Sequence, residues 1–164
     1  MLALGATLAA LLSLLVSVAP ALPASFAPPK GWTAKPVPSG SPVDYLWVSP
    51  HFGANGNGEN LTVTSHALVA GGTLASEVHS AIADMSQDRK IVNSHSEPTC
   101  NGTQPGWSFE GRITLPDGKT IAQIYHMAIY EKRIYMFVFT HALNDPIDPS
   151  IGRSIQTICP SAKA

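Results

Sequence analysis

A chain of 164 residues with 45% hydrophobic residues and a formal charge of −1 is long enough to bury one well-formed core and short for two. The near-neutral balance supplies neither a basic face for phosphates nor an acidic tail, so nucleic acid is excluded as the expected partner. Lys132-Arg133 is too small a basic cluster to change that.

Much of the hydrophobicity sits at the start. From Leu2 to Val18 the chain is apolar apart from Gly5, Thr7, Ser13 and Ser17, and it runs into Ala19-Pro20-Ala21-Leu22-Pro23-Ala24, small residues suited to signal-peptidase cleavage. The expectation is a secretory signal over residues 1–24 and a single α+β domain over 25–164, secreted or periplasmic, with no membrane contact beyond the export signal. The alternative is an uncleaved anchor, because the apolar run is only just short of a spanning length. No Lys or Arg precedes the run, which is irregular for a signal, and no cysteine follows it as a lipoprotein would require. Export gives the cysteines a meaning: in an oxidising compartment an even pair, Cys100 and Cys159, reads as a disulfide before it reads as a nucleophile or a metal site.

In chain order, Phe26 to Trp32 (FAPPKGW) reads as an edge strand or the lead-in to one, since proline cannot donate to a central ladder. Pro36 to Pro42 is a loop, Asp44 to Ser49 a short strand, and His51 to Asn60 a flexible turn before the strand Leu61 to Ser65. The long helix spans Thr73 to Gln87. Its apolar residues Leu74, Val78, Ile82 and Met85 fall on one face, which must be buried against a sheet. Thr73 is the expected N-cap, and Glu77 lies near enough to the N-terminus to favour the helix dipole. His79 and Asp84 fall off the stripe and read as solvated. Ile91 to Glu97 is a polar strand, Pro98 to Pro105 a loop carrying Cys100, and Gly106 to Leu115 a strand. Pro149 to Ile158 forms a short closing helix with Ile151, Ile155 and Ile158 on one stripe, although Gly152 weakens it.

The strongest signal lies between Lys119 and His141, two β-branched and aromatic runs meeting at Glu131-Lys132. With those two residues as the turn, Tyr130 pairs with Arg133, His126 with Phe137 and His141 with Ala122. One face then carries Tyr125, Met127, Ile134, Met136 and Val138, and the other Ile124, His126, Tyr135, Phe137 and Phe139. Both are mainly apolar, so both must be covered, one by the Thr73 helix and the other by the C-terminal helix or the N-terminal segment. His126 reads accordingly as a core or layer-interface histidine.

The order of elements, with the Phe26-Ala-Pro-Pro-Lys-Gly-Trp32 segment, the single long helix and the Cys100 to Trp107 loop-and-strand, resembles the PsbP-like α/β/α sandwich of small exported proteins. The resemblance covers Phe26 to Cys159. It implies an antiparallel sheet with a central C-terminal hairpin, one main helix on one face, and the N-terminal segment with the short C-terminal helix on the other. It also implies a binding or assembly role rather than an enzymatic one; it carries over no functional residue.

Chemistry-bearing motifs are sparse. The six histidines, His51, His66, His79, His95, His126 and His141, show no H-x-H, HExxH or C-x-x-C spacing around them. There is no G-x-S-x-G elbow and no Gly-rich loop between a strand and a helix. Gly53 to Asn60 lacks the spacing of a calcium loop, and the triplets Asn60-Leu-Thr62 and Asn101-Gly-Thr103 matter only in a eukaryotic secretory pathway. No catalytic, cofactor-binding or metal-ligating residue is therefore assigned. Two functions from different classes are weighed. The first is a non-catalytic exported binding or assembly protein with a protein or small-molecule partner, using a loop or a groove beside the sheet. The second is a metal-assisted hydrolase built from His95, Glu97 and a histidine of another element. A cystatin-like inhibitor is disfavoured, since no Q-x-V-x-G hairpin tip is present. The loops Gly53 to Asn60 and Pro98 to Pro105 are the expected functional surfaces.

Overall fold

In the computed structural model, which describes Leu22 and residues 25–52 and 58–159, the chain forms one antiparallel sheet with a helix against each face. Its strands are β1 (Thr33–Lys35), β2 (Tyr45–Phe52), β3 (Gly58–Ala67), β4 (Lys90–Ser96), β5 (Gly106–Thr114), β6 (Thr120–Tyr130) and β7 (Arg133–Ala142). They lie in the order β1-β2-β3-β7-β6-β5-β4, so the β6–β7 hairpin occupies the middle of the sheet. Its register pairs Tyr130 with Arg133, His126 with Phe137 and Ala122 with His141, as the sequence pattern requires. The turn is made with φ of 48° at Glu131 and 62° at Lys132. That conformation favours Asn-Gly, so the long apolar strands, rather than the turn residues, fix this hairpin.

Helix α1 (Leu74–Met85) begins with a reciprocal cap. Thr73 Oγ1 accepts from Ser76 N at 3.2 Å, and Ser76 Oγ accepts from Thr73 N at 2.9 Å. Val78 is buried beneath it, and Leu74, Ile82 and Met85 pack with Phe109, Tyr125, Met127, Ile134 and Val138. Helix α2 (Ser150–Gln156) lies on the opposite face. There Ile151, Ile155 and Ile158 join Trp32, Trp47, Leu61, Val63, Phe137 and Phe139, and Leu22 and Phe26 pack against the same cluster. Phe26 meets Trp47 at 5.5 Å and Phe137 at 5.0 Å between ring centroids, so the proline-rich segment is a strap over the core that leads into edge strand β1.

Two boundaries differ from the sequence expectation. Strand β2 continues past Ser49 and through Pro50 to Phe52, because pairing with β3 shifts between Val48 and Phe52 and relieves the need for a donor at proline. Strand β3 starts at Gly58, so part of the expected His51 to Asn60 turn is strand; residues 53–57 lie outside the described region. The expected signal over residues 1–24 also lies outside it, apart from Leu22. Among the described residues no helix is long and apolar enough to cross a membrane.

Cys100 and Cys159 form a disulfide with their Cα atoms 4.7 Å apart. The bridge is one part of a clamp. Thr99, fully buried, hydrogen-bonds the Tyr130 hydroxyl, which donates to the Ile158 carbonyl at 2.8 Å. Asn101 N donates to Gln156 O at 3.2 Å, and Gln156 Nε2 donates to Pro98 O at 2.9 Å. The expected recognition loop from Pro98 to Pro105 is thereby pinned to the end of α2.

Candidate functional site

The residues singled out for a His/Glu site fall on the α2 face. A bulge between Val92 and His95, with Asn93 at φ 53°, shifts the β4–β5 register so that His95 faces Ser108. Glu97 then lies opposite Gly106, whose carbonyl accepts from Glu97 N at 3.1 Å. His95 and Glu97 therefore share a face with Ser108, the direct cross-strand partner of His126. They do not share a site. The His95 ring is exposed, with Nδ1 2.7 Å from the carbonyl of Asn93, whereas Glu97 reaches His126, Oε2 to Nδ1, at 3.5 Å.

At that distance the Glu97–His126 contact is a long ion-pair contact and not a strong hydrogen bond. Even so, the imidazole beside it holds the Glu97 carboxyl below the usual range against the opposing effect of burial, and Ser108 adds to this. His126 is only 1% exposed. Gly106 closes over it: a Cβ at this position would come within 2.8 Å of Nε2 and 2.4 Å of the Glu97 carbonyl oxygen. The cavity beyond, between the ring and Phe26, Leu61 and Ile155, measures about 10 Å³, close to the minimum for one water molecule. A substrate has no room there.

A second buried pair escaped the sequence reading. Continuing the β3–β7 register one step beyond Asn60–Thr140 places Glu59 across from His141. Both are 6% exposed, and His141 stacks on Phe139 at 5.2 Å. The available signal was the alternation Glu59-Leu61-Val63, masked by the glycines and asparagines just before it. Among the described residues no three His, Cys, Asp or Glu side chains converge as a metal site would require.

The α1 face is different. Helix α1 packs mainly over β5 and β6, and its cluster extends to Ile134 and Val138 of β7. Between the helix and strands β3 and β7 runs a groove of about 320 Å³, lined by Thr64, His66, Glu77, Met85, Met127 and Met136 among others. Met127 and Met136 are direct cross-strand partners, Thr64 is the partner of Met136 on its other side, and Met85 enters from the last turn of α1. At the rim His66 Nε2 lies 3.2 Å from Glu77 Oε2. Sequence periodicity identified Met85, Met127 and Met136 only as apolar positions, because a period shows a buried face and not where its cover stops.

No family model and no curated protein matches this chain. Solved structures do. PA94 of Pseudomonas aeruginosa, a protein of unknown function, superposes with a TM-score of 0.61 at 11% identity, over 80% of this chain and 99% of that one. Cyanobacterial PsbP (CyanoP) of Synechocystis sp. PCC 6803 superposes with a TM-score of 0.51 at 21% identity, over 73% of this chain and 74% of that one. The chain has a PsbP-like fold. At such identities the likeness is one of fold, so what the groove takes must be argued from its own side chains.

Proposed function

We propose that this protein is an exported, non-catalytic binding protein that takes its ligand in the groove between α1 and strands β3 and β7. The observation that carries the reading is room joined to an apolar lining, which a space of about 290 Å³ among the turn residues Gly118, Lys119, Asn144 and Asp145 lacks. The groove offers about 320 Å³, within the range of ligand sites, whereas the cavity at His126 offers about 10 Å³. The Cys100–Cys159 disulfide supports an oxidising compartment, and the apolar segment ending at Ala24 supports export. A hydrolytic role for His95, Glu97 and His126 has less support. His126, the one histidine near Glu97 on a central strand, is sealed beneath Gly106.

The test compares wild type with Ser80→Trp, a substitution at an exposed helix position that lines the groove. Both proteins, disulfide intact, are incubated with native envelope extract or medium and recovered, and the retained material is analysed by mass spectrometry for proteins, metabolites and metals. The expected result is a component held by wild type and absent from the variant. Identical recoveries, including none from either, would sink the groove as the binding site.

A further inference from the structure

We propose that the groove is a site for a soft monovalent cation, Cu(I), held by the thioethers of Met85, Met127 and Met136 with the imidazole of His66. This rests on the groove being the binding site and names its ligand.

All methionines of the chain other than Met1 line this one groove. They come from three separate elements, so their meeting is a product of the fold and not of a methionine-rich stretch: Met85 from α1, Met127 from β6 and Met136 from β7. Met127 and Met136 stand directly opposite each other on the face that α1 covers. His66 is on β3, two residues beyond the partner of Met136, and so on the same face. Thioethers are neutral, soft donors. They select Cu(I) over Mg, Ca and Mn, which prefer oxygen ligands. In an oxidising compartment the thiol alternative is consumed, as it is here: the two cysteines are joined and none is free among the described residues.

His66 supplies a second and independent indication. Its Nε2 lies 3.2 Å from the Glu77 carboxylate, a contact that engages one ring nitrogen of a side chain 64% exposed at the groove rim. A ligating histidine has this arrangement, one nitrogen on a carboxylate and the other on the metal. Glu77 would also offset the added positive charge, and Asp84 lines the same groove. Methionines used only as adaptable filler account for Met127, which is 3% exposed. They do not account for a carboxylate-oriented histidine at the groove that the partly buried Met85 and Met136 also line.

The experiment titrates the untagged, disulfide-intact protein with Cu(I), supplied as its acetonitrile complex under anaerobic, thiol-free conditions, in competition with bicinchoninate. A parallel titration with Ag(I) follows the methionine methyl signals by NMR. The expected result is one equivalent of Cu(I), Ag(I)-induced shifts of the Met85, Met127 and Met136 methyls, and at least a tenfold loss of affinity in Met85→Leu/Met136→Leu. That pair conserves volume and hydrophobicity, so the urea midpoint should remain near wild type and separate loss of ligation from loss of fold. His66→Gln should weaken binding in the same direction. Absence of binding stronger than the competitor, or binding that the double leucine variant leaves unchanged, would overturn the proposal. A component still retained from extract in a Ser80-dependent way would in that case preserve the groove as a site and reject only the metal.

Discussion

The two faces of the β6–β7 hairpin are made from alternate residues of the same strands, yet they are finished differently. The α2 face is filled by rings and isoleucines, strapped by Phe26 and clamped by the Cys100–Cys159 bridge, and His126 and His141 are buried in it. The α1 face also holds rings and isoleucines, with Phe109 stacked on Tyr125 at 4.7 Å, but Met85, Met127 and Met136 meet there at a groove beside the helix. An interior of interlocking rings and isoleucines resists rearrangement, whereas thioethers adapt to what lies beside them. Both faces of the shared hairpin thus have a packed core, and the methionine-lined groove lies on the α1 side, away from the strap and the disulfide clamp.

The sharpest way to break this comparison is to remove matched side chains from the two sides of β7. Phe139→Ala empties a ring that touches Trp32 at 5.7 Å and His141 at 5.2 Å, and should cost about 3–5 kcal/mol by urea denaturation. Met136→Ala, on the opposite face and partly buried, should cost only about 1 kcal/mol because less apolar surface returns to water. Equal losses would show that the groove wall is as tightly built as the sealed core.

A smaller effect is expected from opening the clamp. Replacing both Cys100 and Cys159 by serine frees a loop with a sequence separation of 59 and should cost about 2–4 kcal/mol. The Thr99–Tyr130–Ile158 hydrogen bonds remain. Hydrogen exchange should quicken at Thr64 and Met136 by no more than the global loss of stability, and by more than that at Asn101 and Ile158. An equal quickening at all four amides would mean that the bridge acts only on the stability of the whole sandwich and not locally on the α2 face.

The hairpin, its register and the two-sided burial were legible because two long apolar runs meet at a two-residue turn, which fixes the pairing: a shift by one would move Phe137 and Phe139 out of the cluster with Trp32 and Trp47. Helix α1 and its Thr73 cap were legible for a similar local reason. What escaped was set by tertiary placement. Whether α1 shelters all or half of its face depends on where it sits across the sheet, which its own period does not encode. The Glu97–His126 contact depends on a bulge at Asn93; asparagine adopts the left-handed conformation more readily than most residues, but that tolerance does not by itself mark a bulge. Glu59 was obscured by its neighbours: glycine and asparagine on its N-terminal side imply a turn, although strand β3 has already begun.

The smallest expected effect concerns that Glu97–His126 contact, and pH identifies it. A carboxyl held below its ordinary value contributes stability that is present above about pH 4.5 and is lost as pH falls through the lower, folded-state value. Glu97→Gln removes this contribution. The variant should therefore be less stable than wild type by about 1 kcal/mol near neutrality, a modest figure because the Glu97 side chain is 32% exposed. Between about pH 5 and pH 3 the difference should shrink, since wild type then gains the proton that the variant mimics. Urea midpoints measured across that range decide it. A difference that persists undiminished to pH 3 would mean that Glu97 acts through its fit against Ser108 and Gly106 and not through charge. The α2 face would then be closed by shape alone at Glu97.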